Sequence, residues 1–147
     1  MAFNKLGGVS NPSNIWSSAT SSYSGVTGAY TGSISTTVQG VGSVLGEWID
    51  LELPSPIILR SYSIQARNDA QYGQTPYEFR IVGSNDGGTT WTTADLQSGV
   101  STTVANQANT FNCSTNNSSY SRYRIIITRV NPGGWTFASI AEWRLYV

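Results

Sequence analysis

Tyr77-Glu78-Phe79-Arg80-Ile81-Val82-Gly83-Ser84-Asn85-Asp86-Gly87-Gly88-Thr89-Thr90-Trp91 is the stretch that decides the architecture. Tyr77, Phe79 and Ile81 alternate with Glu78 and Arg80, the two-residue period of a strand with one face inward. Ser84 to Gly88 then gathers turn formers, and Asp86-Gly87 tolerates the positive φ of a tight hairpin. Upstream, Ile49, Leu51 and Leu53 share one strand face and Trp48, Asp50 and Glu52 the other. Pro54-Ser55-Pro56 is expected to end that strand, and a second is expected over about 57–66. Its apolar set is Ile58, Tyr62, Ile64 and Ala66, with an irregularity near Arg60. Downstream, residues 122–130 place Tyr123, Ile125 and Ile127 on one face. After the turn Asn131-Pro132-Gly133-Gly134, Ala141, Trp143, Leu145 and Val147 alternate in the same way. Residues 1–46 are rich in Gly, Ser, Thr and Asn, and 25–46 read as a long loop region with one short strand. No window carries a 3.6-residue period. Short strands separated by turn signals predict an all-β sandwich, built as a single domain over residues 1–147.

Composition narrows the function. Charged residues make up 11% of the 147 residues, well below the roughly quarter of an average soluble protein. The polar surface must come from neutral groups, and 21 Ser plus 16 Thr supply it. Eight cations balance eight anions, so there is no surplus positive charge to displace counterions from nucleic acid. That class of partner is disfavoured. The lone Cys113 excludes an internal disulfide. The longest aliphatic runs, Ile57-Ile58-Leu59 and Ile125-Ile126-Ile127, fall far short of the ~20 residues that span a bilayer. The first residues lack the apolar stretch of a signal peptide, so with Met1 as the start the expectation is cytosolic synthesis. Hydrolytic chemistry needs a base or paired carboxylates, and the chain has no His at all. Glu47, Asp50 and Glu52 are close in sequence but do not share a face, and a solvated strand edge is the expected reading there. Trp16, Trp48, Trp91 and Trp143 lie in or beside strands and are read as packing.

Three segments in order resemble the discoidin, or coagulation factor 5/8 type C, family. They are Gly46-Glu47-Trp48-Ile49-Asp50-Leu51-Glu52-Leu53 with Ile57-Ile58-Leu59; the stretch from Tyr77 to Trp91; and Ser121-Arg122-Tyr123-Arg124-Ile125-Ile126-Ile127 paired with Ile140-Ala141-Glu142-Trp143-Arg144-Leu145-Tyr146. The match is strongest over 46–147. The resemblance implies a jelly roll of about eight main antiparallel strands with a ligand site among the loops at one end. It also implies a non-catalytic, lectin-like binding function, with a glycan or glycoprotein as partner. Chains of this composition are similar, too, to surface components of viruses and phages, which implies attachment at a particle surface. The alternative is a structural protein that decorates a particle through contacts with other structural proteins. Membrane insertion is disfavoured, because that branch flanks apolar loop tips with basic residues and this chain has one Lys.

The loop Arg67-Asn68-Asp69-Ala70-Gln71-Tyr72-Gly73 carries the chemistry a sugar site needs. Planar donors and acceptors match pairs of hydroxyls, and an aromatic face matches the C–H surface of a sugar ring. The resemblance puts a ligand-contacting Arg at Arg67, and an aromatic at Trp135 or Phe137 in the loop before the last strand. Ligand contact is therefore expected at Arg67, Asn68, Tyr72 and Trp135. The competing roles are a loop brace from Arg67 to Asp69 and a barrel cap at Trp135. The resemblance also implies calcium, with Glu142 as a ligand. The segment 20–46 contains no acidic residue, however, so a required cofactor is not expected.

Overall fold

A computed structural model describes residues 2–5, 8–10, 16–18 and 20–147. Thirteen strands are present among them: β1 (Ala2–Lys5), β2 (Gly8–Ser10), β3 (Trp16–Ser18), β4 (Ser35–Val38), β5 (Gly42–Leu45), β6 (Glu47–Ile58), β7 (Ser61–Gln65), β8 (Pro76–Ser84), β9 (Thr92–Gln97), β10 (Ala108–Asn112), β11 (Ser119–Val130), β12 (Ser139–Ile140) and β13 (Glu142–Tyr146). The helical content of the described residues is a single 3₁₀ turn at Tyr72–Gln74. None of the described helices is long and apolar enough to cross a membrane.

Two sheets make the sandwich. One runs β1-β6-β11-β8-β9 and the other β10-β7-β13, eight strands in all. Alternation decides what lies between them. Ile49 and Leu51 of β6, Tyr62 and Ile64 of β7, Phe79 and Ile81 of β8, Tyr123, Ile125 and Ile127 of β11, and Trp143 of β13 join one buried cluster. Burying each such side chain contributes about 1.5–3 kcal/mol. A further sheet, β12-β3-β2, adds Trp16 and Ile140 to that cluster. The all-β sandwich expected from the strand pattern, and the jelly roll that the resemblance implies, are the fold observed.

The outer face of the five-stranded sheet has its own cover. Within residues 25–46, read as a loop with one strand, residues 35–45 instead form the hairpin β4–β5, turning at Gly40 (φ +74°) and Gly42 (φ +100°). Val38 and Val44 of the hairpin pack with Trp48, Val82, Trp91 and Ile126 in a second small core. Both faces of β11 are thus covered at its centre, which explains the unbroken run Ile125-Ile126-Ile127. Arg124 shares the hairpin's face and lies between the rings of Trp48 and Trp91, its Cζ 3.4 and 4.3 Å from their centroids. Its register partner Asp50 accepts from Nε (3.2 Å) and Nη2 (2.9 Å), and Thr36 Oγ1 accepts from Nη1 (3.0 Å). The solvated edge expected at Glu47 and Asp50 is therefore corrected. β6 lies between β1 and β11, and Asp50 and Glu47 are 1% and 3% exposed.

The prolines do not end β6. Tyr120 pairs with Ile57 and Arg122 with Glu52, so residues 53–56 bulge out opposite Ser121 alone. Pro54 and Pro56 sit where no ladder donor is required. The chain then bends at Leu59 and Arg60, later than expected, and β7 begins at Ser61. Strand registers also orient the molecule. β7 runs from Ser61, opposite Tyr146, to Gln65, opposite Glu142. Val147, 80% exposed rather than part of the inward set, follows Tyr146 at the end where Ala2 pairs with Glu52.

Candidate functional site

At the opposite end, three connections converge: β7 to β8, β9 to β10, and β11 to β12. They enclose an open cleft of about 550 Å³. Tyr72, Tyr77 and Trp135 line it with aromatic surface, and the exposed Ser101 and Thr103 line it with hydroxyls, while Thr102 between them keeps its Oγ1 buried. The floor is Asn131, only 6% exposed. Its Oδ1 accepts from the Thr102 backbone N–H (3.0 Å), and its Nδ2 donates to the carbonyls of Gly73 and Thr75 (3.2 Å each). One side chain thus ties all three connections together.

Trp135 owes its position to a glycine. A Cβ at Gly73 would fall 2.0 Å from the Trp135 ring, so only a bare backbone lets the indole settle there. Tyr72 meets the same ring at 5.6 Å and 54°. Trp135 is half-buried, packing on the main core with part of its surface while lining the cleft. Phe137 is half-buried and is not part of the lining.

Arg67 is placed differently. Its Nε donates to both carboxylate oxygens of Asp69 (3.1 and 3.0 Å) and its Nη2 to Oδ2 (2.6 Å). Nη1 reaches Ser17 Oγ at 3.5 Å. Asp69 Oδ1 also accepts from the Gln71 backbone N–H (2.9 Å), so the pair braces its own loop. The guanidinium contact holds the Asp69 carboxyl below its ordinary range. Neither Arg67 nor the exposed Asn68 lines the cleft. The structure therefore brings Tyr72 and Trp135 together and leaves Arg67 and Asn68 outside them. Tyr77, Thr102 and Asn131 complete the cleft and were not singled out in the sequence. Tyr77 opens a strand, where alternation reads it as core, and Asn131 carries only a turn signal.

Two carboxylates near the loops bear on other chemistry. Glu142 pairs with Arg144 on its own strand (2.8 Å). Among the described residues no three Asp, Glu, Cys or His side chains converge as metal ligands. Glu47 lies near Ser18 and Ser22, with its Oε2 buried and without a hydrogen-bond partner. Burial pushes its carboxyl above the ordinary range. At the far end of β8 a smaller hollow of about 210 Å³ includes Asp86. That carboxylate accepts from Ser84 Oγ, Thr90 N and Thr90 Oγ1, which hold its pKa down to about 2 and commit it to the turn.

The family model of the F5/8 type C domain matches residues 10–143, nearly the whole chain. The chain belongs to the F5/8 type C domain family. Solved structures share the fold of this F5/8 type C domain at low sequence identity. The Clostridium perfringens domain CpGH89CBM32-5, solved with GalNAc-β-1,3-galactose, is 16% identical with a TM-score of 0.57, covering 93% of this chain and 78% of that one. The family 32 CBM of C. perfringens NanJ, solved with galactose, is 18% identical with a TM-score of 0.57, covering 93% and 79%. The CBM32 of AlyQ, solved with 4,5-unsaturated mannuronic acid, is 16% identical with a TM-score of 0.57, covering 99% and 93%. No curated protein matches the chain.

Proposed function

We propose that this F5/8 type C domain is a non-catalytic glycan-binding module whose ligand sits in the cleft under Tyr72, Tyr77 and Trp135. The observation that carries the reading is the lining itself, three aromatic residues together with the exposed hydroxyl-bearing Ser101 and Thr103 and the fixed amide of Asn131. Rings cover the C–H face of a pyranose, while hydroxyls both donate and accept toward its own hydroxyls. The volume falls within the range of small-molecule sites, roughly 300–1,000 Å³. Neighbours of the same fold were solved with sugars bound, which favours the same class of ligand here. In this reading Tyr72 and Trp135 stack, and Arg67 and Asn68 meet the parts of a glycan that extend past the rim. Catalysis is not part of the proposal. The chain has no His, no carboxylate lines the cleft, and Cys113 is buried with its thiol pushed up to about 12.

Attachment at a particle or cell surface is the setting we propose for such binding. The alternative, a particle-decorating structural protein, calls for a contiguous apolar patch. Among the described residues the large exposed apolar side chains instead lie on separate elements: Val26 and Val104 in loops, Val41 and Leu45 on the hairpin, Leu96 on β9, and Tyr146 and Val147 at the end of β13. A glycan-array screen of the purified domain is the test. Binding to a defined set of glycans, weakened by Trp135→Ala, is the expected result. Absence of binding across the array overturns the proposal.

A further inference from the structure

We infer that the cleft takes uncharged saccharides and discriminates against acidic ones; this rests on the reading of the cleft as the glycan site. No Lys or Arg lines it. The cations on the neighbouring segments have counter-charges of their own: Arg67 has Asp69 at 2.6 Å, and Arg129 has Glu78 at 4.0 Å. Neutral donors can also cradle an anion, but several here are already committed. The Thr102 N–H is taken by Asn131, the Thr103 N–H by Gln107 Oε1 (3.0 Å), and both Asn131 amide hydrogens by the carbonyls of Gly73 and Thr75. Pro132 has no N–H to offer. The remaining lining is rings and the hydroxyls of Ser101 and Thr103, neutral groups that match sugar hydroxyls but give a carboxylate no counter-charge for the water it loses. A net charge of zero adds no long-range attraction for anions.

Pairs of sugars differing only at C6 isolate this property: galactose against galacturonic acid, glucose against glucuronic acid, and mannose against mannuronic acid. Calorimetric titration at low and physiological salt is expected to give the neutral member of any pair that binds at least roughly tenfold tighter affinity. Binding of that member should not change with salt, because no ion pair is involved. Ser101→Arg adds a cation at an exposed position of the lining, where the fold tolerates it, and is expected to narrow the gap. A uronic acid that binds the unmodified domain as well as its neutral partner overturns the inference while leaving glycan binding intact. A gap unchanged by Ser101→Arg also overturns it, by showing that the charge of the cleft does not set the preference. Failure of every sugar here and of every glycan on the array removes the underlying reading instead, and the inference falls with it.

Discussion

Trp135 and Arg67 illustrate how differently two residues of one expected site can be held. The indole rests on the Gly73 backbone and faces the cleft, so Trp135→Ala removes a preformed stacking surface. The expected loss is about 1.5–3 kcal/mol of binding, or roughly ten- to hundredfold in Kd by calorimetry. Arg67 is engaged with Asp69, so a brace alone would make Arg67→Ala and Asp69→Ala weaken glycan binding by the same modest factor, whereas the proposed contact at the rim makes the Arg67→Ala loss the larger. Loss on Arg67→Ala alone would show that the guanidinium itself meets the sugar. Glu47 offers a pH test. Its folded pKa is raised, so the folded state favours the protonated form, and the charged form burdens stability as pH rises through the folded value. Glu47→Gln is expected to raise the melting temperature at pH 7, and the gain should vanish as pH falls below the ordinary carboxylate range. A gain that persists in acid would refute a charge origin. Residue roles were only partly legible in the sequence. Aromatic and polar composition drew attention to Tyr72 and Trp135, whereas the role of Asn131 depends on partners 29 to 58 residues away.

At the scale of elements, strands with one buried face announced themselves, because Phe79-Ile81 and Tyr123-Ile125-Ile127 recur at every second residue, although the same alternation also counted Tyr77, which lines the cleft instead. The strands that did not stand out are polar ones at sheet edges. β10 has no fully buried residue, and nothing in Ala108–Asn112 marks one face as inner. Two prolines concealed the continuity of β6, since a bulge leaves the same trace in sequence as a strand end. The hairpin β4–β5 was concealed by its Gly and Ser content, and the cover it makes over Arg124 concealed why Asp50 is buried. That cover yields a prediction. Asp50→Ala leaves a guanidinium buried without its counter-charge and is expected to cost about 3–5 kcal/mol in chemical denaturation. Arg124→Met together with Asp50→Leu should recover much of the loss. A single substitution at Asp50 that leaves stability unchanged would contradict the hairpin's docking through this pair.

On the scale of the whole molecule, the two-sheet core accounts for stability without a disulfide, and we expect it to do so without a metal. Calcium at 100-fold excess over its Kd would add about 2.7 kcal/mol to any domain that binds it only when folded. Chelator treatment of this domain, followed by calcium titration, is expected to leave the melting temperature unchanged. A clear rise would place a carbonyl-rich site in the early loops. The registers of β1 and β13 carry a different consequence. Ala2 and Tyr146 lie at the end of the sandwich away from Trp135 and Asn131, so a tether at either extremity leaves the cleft pointing outward. Copies displayed side by side on one support would then present parallel, unobstructed cups to a glycan-coated surface. Once one cup is filled, its neighbours work at high effective concentration, and avidity about 10²–10⁴ above the single-site affinity becomes attainable when spacing fits. If the cleft holds a glycan as proposed, repetition alone would make the domain adhesive.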